Sequence, residues 1–372
     1  MMQVILSNSK HPEYGQATIP FPLAQDQYED CVELLEKLEI SDAVERDCKV
    51  EEIQGGLSIL KRLEKVAINI DELDYLVKRL DSFDSIEEAQ FQAMAVKLGT
   101  FDMTDLINLT FCCQQATVIN NFSNLEAIGR DHYMNLHGGC ASTQELEDLD
   151  GAETARLLIG SGAGEVTPYG VVYDNGMKLE QQYDGQHFPA YLYEPCMLMM
   201  GLTHRLEPEE TKNITWFYLP AAKGQLERAM ARSGITDPAD MRFRFSESMF
   251  PDEVDAALDF RYENIYELND LALAVSKLSV EAQKKLGAVV EMAEPEYASQ
   301  ICRLAENLDQ FEFAPGAHTP AEYGRFMIQE SGMFTDRGYV SYHGTMSLEE
   351  LMMEDPAESF REEQGLQMGG MK

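Results

Sequence analysis

The eight residues NIDELDYL at Asn69–Leu76 return as NIYELNDL at Asn264–Leu271, an offset of 195. Gly129-Arg130 returns as Gly324-Arg325 at the same offset. Upstream, IPFPLAQDQYE at 19–29 resembles LPAAKGQLE at 219–227, allowing small gaps. Downstream, GEVTPYGVVYDNG at 164–176 resembles GMFTDRGYVSYHG at 332–344, but there the offset has fallen to 168. The second stretch is therefore 27 residues shorter between these landmarks, and the shortfall corresponds to Leu136–Ser161. The period far exceeds the roughly 20–50 residues of a solenoid repeat. The chain reads as two divergent copies of one unit in tandem. Copy one spans 1–185, a connecting segment 186–213, a shortened copy two 214–346 and an acidic, Met-rich tail 347–372. Any fold that satisfies one copy has to satisfy the other.

Local patterning gives the unit an α+β character. An N-terminal strand or lead-in ends near Gly15. The segment Ile19-Pro-Phe-Pro22 is extended, because a residue before proline is pushed from the helical region. Asp26–Glu39 has helical periodicity, Asp47–Ile53 reads as a short strand and Leu57–Val66 as a helix. Asn69 opens a helix with acids in its first turns and Lys78 and Arg79 in its last, which suits the helix dipole. Glu87–Leu98 is amphipathic, Thr117–Ile119 is strand-like and Asn124 caps LEAIGRDHYM. Thr143–Ile159 reads as one helix, Thr167–Tyr173 as a strand before an Asn175-Gly176 turn, and Ala190–Leu202 as a buried strand. A short helix followed by a frayed end is expected after Ser347.

Charge dominates the composition. Acidic residues number 65 and basic residues 29, for a formal net charge of -36. Direct binding to nucleic acid or anionic lipid needs Lys and Arg against phosphate, so both are excluded as direct partners. Basic partners and electrostatically steered encounter are favoured. Hydrophobic residues at 44% still suffice for packed cores. The helix Asp26–Glu39 shows how the two coexist. Tyr28, Cys31, Val32, Leu35 and Leu38 form one stripe, and Asp26, Glu29, Asp30, Glu33 and Glu36 face the other way, offset only by Lys37. Like charges four apart weaken a helix by a few tenths of a kcal/mol each. The natural user of ordered negative charge of this kind is a protein that binds DNA.

Further carboxylates extend the pattern: Asp71, Asp74, Glu87, Glu88, Glu145, Glu147 and Asp148 in the first copy, Asp252, Glu253, Asp255 and Asp259 in the second. Helical spacings of three and four place successive acids ~4.5–6 Å apart along an axis. B-DNA presents a charge every ~1.7 Å of axis. Several such helices approach that density, and one alone does not.

Seven cysteines without a CxxC pair, no basic-then-apolar leader and no apolar run of ~18 residues predict free thiols in a reducing cytosol and no membrane span. Gly160–Gly164 (GSGAG) lacks the Lys-Ser/Thr of a phosphate loop and does not spell GxGxxG. A calcium loop centred on Gly151 would have Leu146 and Leu157 at its end positions, which cannot coordinate. His132, His137 and Cys140 are the remaining candidates for a zinc site or a thiol–base pair, with no second Cys/His pair at ligand spacing. No metal or cofactor is expected.

The acidic helix after an IPFP-like start, the LDYLVKRL helix, LEAIGRDHYM and GEVTPYGVVYDNG, in that order, are similar to ArdA-type antirestriction proteins carried on bacterial mobile elements. The resemblance covers roughly 17–185 and 214–345, and it rests on order and charge rather than on one diagnostic motif. It implies an elongated α+β chain of small consecutive domains, often dimeric. The surface of such a protein mimics bent B-form DNA and occupies the DNA groove of type I restriction–modification enzymes. It implies no catalytic residue, and the acidic residues named above as the partner-binding surface. This chain departs from the family pattern by being double and by the shortfall in copy two, so a homodimer and a single-chain pseudo-dimer are both expected forms. Two alternatives accompany this reading: an inhibitor of another DNA- or RNA-guided defence effector or of a basic nucleoid or transcription regulator, and a thiol- or metal-dependent enzyme using His132, His137 and Cys140.

Overall fold

Burial alternates along β1 (Met2–Asn8), and Val4 and Leu6 are fully enclosed. β2 (Gln16–Phe21) pairs antiparallel with β1 in a register that sets Val4 opposite Ile19. After α1 (Tyr28–Glu36), β3 (Cys48–Gln54) pairs on the other side of β1 with Val4 opposite Ile53, and β4 (Ala67–Ile68) closes the order β2-β1-β3-β4. Val4, Ile19 and Ile53 therefore share the buried face. The computed structural model describes residues 2–191, 193–259, 263–324, 328 and 331–353.

Three helices follow: α2 (Ile70–Asp81), α3 (Ser85–Leu98) and α4 (Met103–Leu109). Asn69 caps α2, accepting from the N–H groups of Asp71 and Glu72, and Asp84 and Glu87 form a capping box on α3. β5 (Thr117–Ile119) leads to α5 (Leu125–Leu136), α6 (Thr143–Asp148) and α7 (Gly151–Gly160), then to the hairpin β6 (Glu165–Thr167) and β7 (Gly170–Tyr173), in the order β5-β7-β6. α5 and α7 enclose a small separate core of Ile119, Ile128, Ala155, Leu158 and Tyr173.

The second half runs β8 (Leu198–His204), β9 (Thr215–Leu219), α8 (Lys223–Arg232), β10 (Met241–Ser248), α9 (Asp252–Ala257), α10 (Ile265–Ser276), α11 (Val280–Ala293) and α12 (Ala298–Glu306). It continues through β11 (Phe311–Pro315), α13 (Pro320–Tyr323), β12 (Gly332–Thr335), β13 (Gly338–Tyr342) and α14 (Leu348–Met353). Its sheets are ordered β9-β8-β10 and β12-β13-β11, matching β2-β1-β3 and β6-β7-β5 of the first half; among the described residues β4 has no counterpart, and α9 stands between β10 and α10. Asn264 caps α10 as Asn69 caps α2. The hairpin turns also match. Thr167 Oγ1 donates to the Gly170 carbonyl and accepts from Tyr169 N–H, and Thr335 does the same with Gly338 and Arg337. Gly170 and Gly338 sit at φ +131° and +143°, where a Cβ would lie 2.9 Å from the Ile119 carbonyl oxygen and 2.3 Å from that of Ala314. Among the described residues, the four-residue α13 is the only helix between β11 and β12, where the first half has α5, α6 and α7 between β5 and β6.

The fold is thus α+β. The chain divides into two compact units: Met1–Tyr193 with Glu210–Thr215 and Ala222–Gly234, and Glu194–Glu209 with Trp216–Ala221 and Ile235–Lys372. α8, flanked in sequence by strands of the second unit, belongs to the first. Four local expectations change. The single strand expected over Thr167–Tyr173 is a tight hairpin, with β6 ending at Thr167 and β7 starting at Gly170. Leu57–Val66 forms only a 3-10 segment, Ser58–Leu63. The helix expected over Thr143–Ile159 breaks at Leu149-Asp150, because the Asp150 side chain accepts from Glu153 N–H and starts α7 anew. The strand expected from Ala190 begins only at Leu198. The frayed end expected after α14 lies outside the described residues. Among those residues, no helix is long and apolar enough to cross a membrane.

Candidate functional site

α1 follows its sequence pattern closely. Tyr28, Cys31 and Leu35 are buried, Leu38 just beyond the helix is buried, and Val32 is half-buried. Asp26, Glu29, Asp30, Glu33 and Glu36 are all exposed. Two of these acids are engaged. Lys37 Nζ lies 2.8 Å from Glu33 Oε1, and its hydrogen bond and charge hold that carboxyl below its ordinary range. Glu29 Oε1 accepts from Gly224 N–H at 3.0 Å, which caps the N-terminus of α8, a helix whose own N-cap residue is Ala222. Asp26, Asp30 and Glu36 make no ion pair among the described residues.

The other acids named from the sequence divide by environment. Asp71 and Asp74 do not belong to an open face. Asp71 takes Arg228 Nε at 2.9 and 3.0 Å and Arg232 Nε at 3.4 Å. Asp74 is only 8% exposed and accepts from Leu23 N–H at 2.6 Å and from Lys78 Nζ at 3.0 Å; burial raises its pKa. α2 buries Glu72 and Asp74 alongside Ile70, Leu73, Leu76, Val77 and Leu80, so it is enclosed well beyond one stripe. Glu253 is likewise withdrawn, with Arg337 Nε 2.6 Å from its Oε1. Burial works against its ionised form, yet that hydrogen bond keeps the carboxyl below its ordinary range. Asp255 has a buried Oδ1 without a hydrogen-bond partner among the described residues and a pKa raised by burial, and Asp259 is half-buried. Glu87 and Glu88 are half-buried, and Glu87 serves the α3 capping box. Glu145, Glu147, Asp148 and Asp252 are exposed, and Glu145 completes a capping box with Ser142.

A cleft of about 630 Å³ opens in the first unit beside α1 and α8. Its acids are Glu36, Glu39, Asp42, Glu45, Asp47 and Glu227, set against Lys10 and Arg228. The loop 41–47 forms one wall and is rigidly tied. Asp42 Oδ1 accepts from the N–H groups of Val44 and Glu45, and Asp47 Oδ2 from those of Ser41 and Asp42. Asn69 Nδ2 donates to the carbonyls of Asp42 and Glu45, and the Arg228 guanidinium to those of Ser41 and Asp42. Asp47 is 9% exposed, and its Oδ1 has no partner among the described residues. Burial raises its pKa despite the two N–H donors. Sequence reasoning missed this loop. The available signal was the run SDAVERD between a helix and a strand, where acids that turn back on backbone N–H groups shape a loop.

Beneath the cleft lies a buried polar network that periodicity did not reveal. Arg232 is 1% exposed, and its guanidinium reaches Asn69 Oδ1, Tyr183 Oη at 3.2 Å, the Gln186 carbonyl at 3.1 Å and Asp71. It also lies 4.3 Å over the Phe188 ring. Tyr183 donates to Glu72 Oε1 at 3.0 Å. Burial raises the Glu72 pKa, and its buried Oε2 has no hydrogen-bond partner among the described residues, with Arg46 Nε 4.0 Å away.

His132, His137 and Cys140 are not brought together. His132 Nδ1 is 3.0 Å from Thr117 Oγ1, which also accepts from Asn135 and Asn175. That arrangement makes Thr117 the donor to an unprotonated Nδ1, and burial lowers the His132 pKa. His137 Nδ1 contacts the Tyr133 carbonyl and its ring stacks on Tyr133. Cys140 is exposed. Among the described residues, no group of three His, Cys, Asp or Glu side chains is arranged to hold a metal ion. The structure therefore supplies an acidic helix face and an acidic cleft, both suited to cationic groups. Comparison with models of known protein families yields no match, and a search of curated proteins finds no similar sequence.

Proposed function

We propose that this chain is a non-catalytic, DNA-mimicking antirestriction protein that occupies the DNA-binding groove of a host defence enzyme, a type I restriction–modification complex. One observation carries the reading: α1 buries one face and turns a row of carboxylates to solvent, in a chain of net charge -36. An exposed row of like charges does not help a helix fold, so its use lies in what it meets. The mimic surface comprises Asp26, Asp30, Glu33 and Glu36, with Glu147, Asp148 and Asp252 also exposed. Asp71, Asp74 and Glu253 are left out, because each is half-buried or buried against an internal cation. The matching three-strand orders support two divergent copies in tandem, the second without counterparts of α6 and α7 among the described residues. We place the protein in the bacterial cytoplasm as a homodimer or single-chain pseudo-dimer that binds no nucleic acid itself.

Lys and Arg side chains of the target would exchange phosphates for these carboxylates, giving fast, salt-sensitive association. The test is an inhibition assay on a purified type I methyltransferase titrated with duplex DNA and salt. Competitive inhibition that weakens steeply as salt rises is the expected result. Binding that is insensitive to salt and compatible with bound DNA refutes the proposal.

A further inference from the structure

We infer that the Asn175-Gly176 turn is a deamidation site held closed by the folded chain, and that its conversion to a carboxylate releases the turn from β5. The chain has this one Asn-Gly pair. Glycine carries no Cβ to shield its nitrogen, which makes the pair reactive wherever the chain is open. The Gly176 backbone nitrogen gives its proton to solvent hydroxide and attacks Asn175 Cγ. A bond from that nitrogen to Cγ forms, the Cγ–Nδ2 bond breaks, and the side-chain nitrogen takes up a proton and leaves as ammonia. Water then opens the succinimide ring at either carbonyl, giving aspartate or isoaspartate. Water is the only co-reactant.

The fold opposes each of these steps. Gly176 N–H donates to Asp174 Oδ1 at 3.1 Å, so the proton that has to leave is held against a carboxylate. Asn175 and Gly176 have φ +54° and +77°, and Met177 N–H closes the turn on the Asp174 carbonyl at 2.8 Å. Positive φ at both central residues makes this a type I′ turn, and ring closure has to rotate the Asn175-Gly176 peptide out of it. Asn175 Nδ2 donates to the Gln115 carbonyl at 2.7 Å and to Thr117 Oγ1 at 2.9 Å, and the departure of ammonia breaks both bonds. After conversion an acceptor-only carboxylate faces the Gln115 carbonyl with no hydrogen between them. Thr117 Oγ1 has one proton, directed at His132 Nδ1, and has to withdraw it to serve the new group. The turn thereby loses its hold on β5. The matching turn of the second half carries His343 at this place, and its backbone N–H donates to the Gln310 carbonyl at 2.8 Å. Deamidation cannot remove that bond, so the liability belongs to the first half.

The test incubates the full-length protein in mildly alkaline buffer and follows the tryptic peptide Leu157–Lys178 by mass spectrometry, beside the blocked peptide acetyl-Tyr-Asp-Asn-Gly-Met-Lys-amide. Conversion in the native protein is expected to be at least about tenfold slower than in the blocked peptide, and to reach the peptide's rate in urea that unfolds the chain. Asp174→Ala frees the Gly176 N–H and is expected to raise the native rate about threefold or more, as the loss of one ordinary hydrogen bond implies. Asn175→Asp is the direct product, and is expected to speed hydrogen exchange at the β5 amides about tenfold while α1 is unchanged. A native rate equal to the peptide's, or slow conversion that persists in urea, overturns the closed site. An unchanged rate in Asp174→Ala, in protein whose circular dichroism matches wild type, overturns the part given to Asp174. If that variant unfolds, wild type with and without urea decides. Unchanged β5 exchange in Asn175→Asp overturns the release of the turn.

Discussion

Arg232→Met tests how the first unit holds α8. The guanidinium is buried at 1% exposure among Asp71, Asn69, Tyr183 and the Gln186 carbonyl, over the Phe188 ring. Removing one member of a buried ion pair costs about 3–5 kcal/mol. Here Asp71 keeps Arg228, so the orphaned-charge part shrinks. The lost cation–π contact adds about 1 kcal/mol, and the methionine restores part of the packing. The expected loss is about 3 kcal/mol. With a urea slope of about 2.5 kcal/mol/M, the midpoint falls by about 1.2 M. Urea titration followed by hydrogen exchange at α2 and β1 amides reads the first unit directly. Arg232→Lys keeps the charge without the fork and is expected to fall between the two. A shift below about 0.3 M for Arg232→Met, within the extrapolation error of such data, refutes the view that this network anchors α8. Equality of Arg and Lys refutes the part assigned to the planar fork.

Asn69→Ala is expected to cost about 2 kcal/mol, because one side chain both caps α2 and holds the 42–45 carbonyls, whereas Asn264→Ala loses a cap alone and about 1 kcal/mol. Chemical denaturation of the two variants decides, and equal losses would contradict the double role. Gly170→Ala and Gly338→Ala combine positive φ with a Cβ driven at a neighbouring carbonyl, so each is expected to cost at least about 2 kcal/mol, Gly338→Ala the more; thermal melts showing either as neutral would count against the hairpin geometry. Glu51 is held down at about 2 by hydrogen bonds from Lys65, Lys49 and Ser7. Its depressed pKa contributes stability that is present above the ordinary carboxylate range and lost as pH falls toward 2, so Glu51→Gln should flatten that stretch of the stability profile and leave the profile above pH 6 parallel to wild type. Asp26→Asn, Asp30→Asn and Glu36→Gln together should leave folding intact while weakening inhibition and its salt dependence in steps; a single substitution that abolishes inhibition would contradict a distributed surface.

Local signals in the chain carried much of the fold. The α1 stripe, the Asn69 and Asn124 caps and the β5 strand depend on residues within one turn or one strand of each other, and all appear where the pattern puts them. The exposed acids of α1 were legible for the same reason, since a 3.6-residue period sorts buried from open positions inside one helix. Periodicity does not report what lies over the open positions. Asp71 reads as a surface acid until Arg228, 157 residues along the chain, arrives to pair with it, and Asp74 reads likewise until the chain beyond Phe21 brings Leu23 N–H to its carboxylate. The 41–47 loop became an acidic cleft only because Asn69 and α8 close around it. The sequence alone determined the capped and amphipathic helices α1, α2 and α5 and the chain's large negative charge. Tertiary structure decided which of those charges remain open to a partner, because a carboxylate's state depends on cations and dielectric brought from distant parts of the chain, and no local period encodes them.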